Sequence, residues 1–193
     1  MSKKLFRILF WGGIGLSVLA IGLFGWSQIS VSVNRRQATA LAETLKELIP
    51  TPYRGMPDGR SQTEMPVMEL EGEDFSALLE IPAYGVLLPV CNGWESSNVQ
   101  KYPHRFAGSM YDSSLVIGGS DNQGQLACLE VISIGDRLTV TDLRGEQYLY
   151  TVAWVEKTED VSAEHLCDTE YDLTLFVRNT YGFEYTLVRC NLQ

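Results

Sequence analysis

The first pattern along the chain is an unbroken apolar block. From Ile8 to Trp26 no residue is charged, and Ser17 is the only side chain more polar than tryptophan. At about 1.5 Å per residue, a helix from Leu5 to Trp26 is roughly 33 Å long, enough to cross a hydrocarbon core of about 30 Å. Lys3, Lys4 and Arg7 precede the block, and positive flanks stay on the cytoplasmic side. Trp11 and Trp26 suit interfacial depth near its two ends. The block predicts a single-pass plasma-membrane anchor over 5–26. Residues 1–4 then form a cytoplasmic tip, and the C-terminal part of the chain lies outside the cell. A cleaved signal peptide is the competing reading. The run is long for one, and Gly25-Trp26-Ser27-Gln28 is a poor cleavage site.

The period then changes. Ala38, Leu41, Leu45 and Leu48 recur at spacings of three and four, which predicts a helix over Val33 to Ile49 in a juxtamembrane segment, 27–50. Pro50 and Pro52 stop it. Residues 51–74 show little periodicity and are rich in proline, glycine and charge. They close on Glu69, Glu71, Glu73 and Asp74. This segment reads as a linker, either a flexible stalk or a loosely packed wrap.

From Phe75 onward short apolar runs alternate with turn residues. Phe75 to Ile81, Val86 to Val90, Leu115 to Ile117, Arg137 to Asp142, Gln147 to Val155, Leu173 to Val177 and Tyr185 to Leu192 read as strands. Tyr102-Pro103-His104-Arg105-Phe106 reads as a loop. Gln125 to Ile132 and Ser162 to Leu166 read as short helical turns. Many short strands with few helices predict a mainly β fold, a closed barrel of about eight strands over 75–193. Closure also removes exposed sheet edges.

Charge and composition narrow the partners. A net charge of −9 argues against nucleic acid and against a polybasic lipid-binding surface. Cys91, Cys128, Cys167 and Cys190 match no zinc spacing. Outside the cytoplasm they can be bridged, or they can serve as small buried hydrophobes. No cofactor and no metal are expected. His165 lies two residues from Cys167, a pairing that can in principle activate a thiolate, but no acid or amide is recognisably placed to orient either histidine. Gly118-Gly119-Ser120-Asp121-Asn122-Gln123-Gly124 is the most polar, glycine-rich stretch, read as a structural turn or a ligand-contacting loop.

In order, the β segments resemble those of a sortase, the membrane-anchored cysteine transpeptidases of Gram-positive surfaces. Leu79-Glu80-Ile81-Pro82 with Gly85-Val86 and Leu88-Pro89-Val90 is similar to the family's opening strands. Val116-Ile117-Gly118-Gly119-Ser120 resembles the strand carrying its histidine. Gly124, Leu126 and Leu129 fit the turn that follows. Gly135-Asp136-Arg137-Leu138-Thr139-Val140, with Asp142, Gly145, Tyr148 and Tyr150, resembles its G-D-x-V-x-V hairpin. Leu173-Thr174-Leu175-Phe176-Val177 and Leu187-Val188-Arg189 resemble its last two strands.

The resemblance implies a cysteine nucleophile, a histidine acid and an arginine for the oxyanion. At those places stand Arg178, Ser120, and Tyr185 or Thr186, depending on a one-residue gap. A guanidinium stays protonated and is no nucleophile. The sequence therefore leads to a surface-displayed, sortase-like protein without the family's chemistry. It would be a binding or regulatory module in surface-protein or pilus display, with peptide sorting signals, pilin, a cell-wall component or an active sortase as partner. The candidate groove is Ser120, Asp121, Asn122 and Arg178, with Arg178 pairing a ligand carboxylate or plugging the cleft through Asp121. The alternative is an active transpeptidase with a relocated site built from Cys190, His104 and Arg189.

Overall fold

The computed structural model describes residues 11, 13–17, 19–20, 37–55, 64–95, 98–159, 161–168, 170–179 and 183–193. Residues 13–17 are helical, with the Ser17 hydroxyl donating to the Gly13 carbonyl at 3.0 Å. Most of the expected anchor over 5–26 lies outside the described residues. Among those described, no helix is long and apolar enough to cross a membrane.

Ten strands follow helix α1 (37–48): β1 (Tyr53–Arg54), β2 (Met68–Leu70), β3 (Glu73–Ile81), β4 (Val86–Cys91), β5 (His104–Ala107), β6 (Leu115–Ser120), β7 (Arg137–Asp142), β8 (Glu146–Thr158), β9 (Leu173–Arg178) and β10 (Tyr185–Leu192). A short helix α2 (Ala163–Leu166) lies between β8 and β9, with the Ser162 side chain capping its first turn. Neighbouring strands run β8-β10-β9-β6-β5-β4-β3, and β7 bonds both β3 and β8. That closes an eight-stranded ring. β1 and β2 add to it at β8 and β3.

Alternation assigns the faces. Leu115 and Ile117 of β6, Leu175 and Val177 of β9, and Val188 and Cys190 of β10 join the main interior core. Val116, Phe176 and Leu187 form a second cluster on the outer face of the same three strands. Helix α1 joins the interior core through Ala38, Leu41, Ala42 and Leu45, and Ile49, just past its end, joins it too. The stripe expected from the sequence included Leu48, but Leu48 is exposed and Ala42 and Ile49 take the buried positions. A 3.6-residue period carries the buried face across Ala42 and Ile49, because the helix docks on a broad surface.

The described parts of the expected linker, 51–55 and 64–74, pack on the barrel. Tyr53–Arg54 runs parallel to Glu146–Gln147, Met65 is buried, and Met68–Leu70 pairs with Glu73–Phe75. β3 begins at Glu73, before the expected boundary. The loop expected over Tyr102 to Phe106 contains β5. That strand has only four residues, lies between Pro103 and Gly108, and shifts register between Arg105 and Ala107, so it carries no readable alternation. All four cysteines are free thiols, Cys91 and Cys190 fully buried.

The β7–β8 turn is organised by a buried carboxylate. Asp142 accepts from the Tyr111 hydroxyl at 2.6 Å, the Arg144 side chain at 3.2 Å, and the backbone N–H groups of Arg144 and Glu146, both at 2.8 Å. Asp142→Ala leaves these donors without an acceptor. It is expected to destabilise the fold by about 3 kcal/mol or more, read as a lower urea midpoint. Asp142→Asn keeps one oxygen and is expected to cost less.

Candidate functional site

The outer faces of β6, β9 and β10 meet at the ends where these strands stop. β6 and β9 run parallel with Ser120 opposite Arg178, and β9 and β10 run antiparallel with Arg178 opposite Tyr185. Cross-strand partners point to the same face. Three residues far apart in the chain thus lie side by side. Thr186 pairs with Val177 and turns to the other face, where its hydroxyl contacts Glu130 Oε1 at 2.9 Å and Asn179 Oδ1 at 3.1 Å. Of the two positions left open by the one-residue gap, Tyr185 faces Arg178.

A cleft of about 350 Å³ opens here. Its aromatic side is Trp94, Phe106 and Phe176, whose ring centroids lie 5.3 to 5.6 Å apart. Such spacing is that of edge-on and tilted ring packing. Gly118 makes the packing possible. A Cβ at Gly118 would stand 2.4 Å from the Phe176 ring and 2.5 Å from Trp94. Val161 and Leu166, from the β8–β9 connection, line the cleft as well.

Ser120 is held in an amide network. Its hydroxyl donates to Gln100 Oε1 at 3.0 Å and accepts from the Asn122 side-chain N–H at 3.1 Å and backbone N–H at 3.3 Å. Its backbone N–H donates to Gln125 Oε1, and Gln125 Nε2 donates to the Val99 carbonyl at 3.0 Å. One O–H and two lone pairs are all the hydroxyl has, so no donor or acceptor capacity remains for proton transfer. The polar loop after β6 is folded on itself in the same way, with Asn122 Oδ1 accepting from the Gly124 N–H at 2.9 Å.

Arg178 differs. It is exposed, and none of the ion pairs among the described residues joins it to Asp121. The cleft therefore presents a guanidinium beside an apolar wall. That combination suits a carboxylate next to an apolar group. Of the four residues of the candidate groove, Ser120 and Arg178 line the cleft, whereas Asp121 and Asn122 do not. The aromatic wall went unread, because Trp94 and Phe106 sit in segments without period.

The residues of the relocated site do not converge. Cys190 faces the barrel interior, where burial drives its thiol far above the usual range. Arg189 faces outward, and His104 lies on β5, separated from β10 by β6 and β9. Three steps of about 4.8 Å between strands keep His104 out of reach of Cys190. His104 Nδ1 donates instead to the Gly93 carbonyl at 3.0 Å. The expectation that neither histidine meets an acid fails for His165, whose Nε2 stands 3.2 Å from Glu156 Oε1. Glu156 lies on β8, so no local spacing revealed it.

Arg189 secures one wall of the cleft. Its guanidinium is 2% exposed as a residue, donates to the His165 carbonyl at 2.8 Å, stands 4.0 Å from Asp168 Oδ2 and lies over the Tyr171 ring at 5.4 Å. Truncation would unpin α2. Arg189→Ala is expected to accelerate amide exchange over residues 163–167 by about 10- to 100-fold, matching the 1.5–3 kcal/mol of a charged hydrogen bond. Unchanged exchange would show that α2 is held by other contacts.

No family model matches the sequence, and no curated protein matches it. Solved structures do match in fold. Sortase A from Corynebacterium diphtheriae superposes with a TM-score of 0.55 at 18% identity, over 84% of this chain and 82% of that one. A Clostridium perfringens sortase D5 transpeptidase gives 0.55 at 16%, over 84% and 99%. Sortase C1 from Streptococcus suis gives 0.53 at 23%, over 62% and 73%. The fold of this chain is a sortase fold.

Proposed function

We propose that the protein is a surface-displayed, sortase-fold binding module that captures a carboxylate-bearing ligand at Arg178 and acts in surface-protein or pilus display. A peptide C-terminus or a cell-wall acid fits the chemistry. The observation that carries this reading is the register of β6, β9 and β10. It sets Ser120, Arg178 and Tyr185 side by side, and the resemblance of their strands to the family's is the ground for reading them as the positions of its histidine, cysteine and arginine. The arginine there has no carboxylate partner among the described residues, and the neighbouring hydroxyl is fully engaged by amides. A fixed cation beside Trp94, Phe106 and Phe176 favours binding over bond breaking.

Ligand capture is tested with the full-length chain and short peptides ending in an apolar residue. A free C-terminal carboxylate is expected to bind, and its amidated twin to bind about tenfold more weakly. Arg178→Ala is expected to abolish that difference. Equal affinity for the two peptides in the native protein would remove the basis of the reading.

Catalysis is tested separately. Incubation with Leu-Pro-x-Thr-Gly peptides is expected to leave every thiol unmodified in intact-protein mass spectra. Cys167 is the thiol to watch, since it packs against the outer cluster that includes Phe176. A thioacyl adduct on it or on any other cysteine would replace the binding reading with a transpeptidase using a non-standard site.

A further inference from the structure

A second cavity, of about 540 Å³, opens on the other side of Trp94, between the β2–β3 hairpin and the turn after β4. Its lining is rich in carboxylates: Glu69, Glu73, Asp74 and Glu95. Glu69 and Asp74 stand directly opposite each other across β2 and β3. Like charges so placed repel. Both residues are exposed, and no ion pair among the described residues neutralises either. Glu73 is already engaged by Asn98 at 2.8 Å and Lys101 at 3.6 Å. Lys101 does not line the cavity, and no other basic side chain does apart from His104.

Two buried atoms in this lining lack partners. His104 is 2% exposed, and its Nε2 makes no hydrogen bond; Asn92 Oδ1 is likewise buried and unpartnered. The tautomer of His104 follows from its other nitrogen. Nδ1 faces the Gly93 carbonyl at 3.0 Å and must carry the proton, so in the neutral ring Nε2 is a free acceptor. A buried acceptor without a donor is costly unless a ligand supplies one. Trp94 lines the same space, and an indole ring attracts a cation over its face.

We propose that this cavity binds an organic ammonium group. Its N–H donors pair with His104 Nε2 and Asn92 Oδ1, while Glu69 and Asp74 balance its charge. A metal ion fits less well. Among the described residues no group of three His, Cys, Asp or Glu side chains converges to hold one. An ammonium needs no tight shell, only acceptors in several directions. The site is independent of the Arg178 cleft, although the two share Trp94.

The test uses the full-length chain and n-butylammonium, read by the imidazole resonances of His104. The chain has two histidines, so assignment by a His165 variant is direct. Saturable shifts at His104 and not at His165 are expected. Glu69→Gln combined with Asp74→Asn, both isosteric and at exposed positions, is expected to weaken binding about tenfold or more, with an unchanged circular dichroism spectrum. Arg178→Ala is expected to leave it unchanged. A parallel titration with Nα-acetyl-lysine amide distinguishes an amine presented by a peptide from a free small amine, by which of the two binds more tightly. Equal binding of tetramethylammonium, which has no N–H, would overturn the proposal. So would equal binding of neutral n-butanol, or calcium binding that excludes the amine.

Discussion

The pairing of β6 with β9 is the contact on which the rest of the molecule depends. It is parallel, so no tight turn can make it, and its two strands are brought together from distant parts of the chain. Once formed, it links the β3–β4–β5–β6 half of the ring to the β7–β8–β10–β9 half, and β7 closes the circle between β3 and β8. Interior positions of both halves then fill one core, to which α1 adds its apolar face. The same pairing sets Ser120 beside Arg178. Barrel closure and site assembly are therefore one event.

Around that pairing, polar groups are distributed unevenly. On the Ser120 side, Gln100, Asn122 and Gln125 satisfy each available donor and acceptor, which fixes the turn after β6 against the residues before β5. On the β10 side, Arg189 is buried and ties down the connection that carries α2. Arg178 stands between these two fastened walls with its guanidinium in solvent. A rigid frame around a charge with no ion-pair partner among the described residues suits ligand capture, since little ordering entropy remains to be lost on binding. Across Trp94 the polarity reverses, from a lone cation to facing carboxylates. A chain of net charge −9 thus keeps both signs available within one neighbourhood.

Much of this was legible in the chain itself. Alternation in Arg137–Asp142 and Gln147–Val155 disclosed strands, because successive residues there alternate between the core and a more exposed face. The order of segments disclosed the barrel. The N-terminal apolar block fixed an expectation of anchorage from hydrophobic length and flanking charge alone.

Other features were beyond reach of any local pattern. β5 is too short and irregular to alternate. The two adjacent glycines of β6 looked like a strand end, yet they continue the strand, since Phe176, Trp94 and Gln125 occupy the space their side chains would fill. Whether Tyr185 or Thr186 faces Arg178 rests on register, which one residue of slip inverts. The Glu156–His165 contact, the like-charged pair Glu69 and Asp74, and the orphaned Nε2 of His104 all arise between segments distant in sequence or across a ladder. Periodicity reports how one segment meets a surface; only closure of the ring decides which surfaces meet each other.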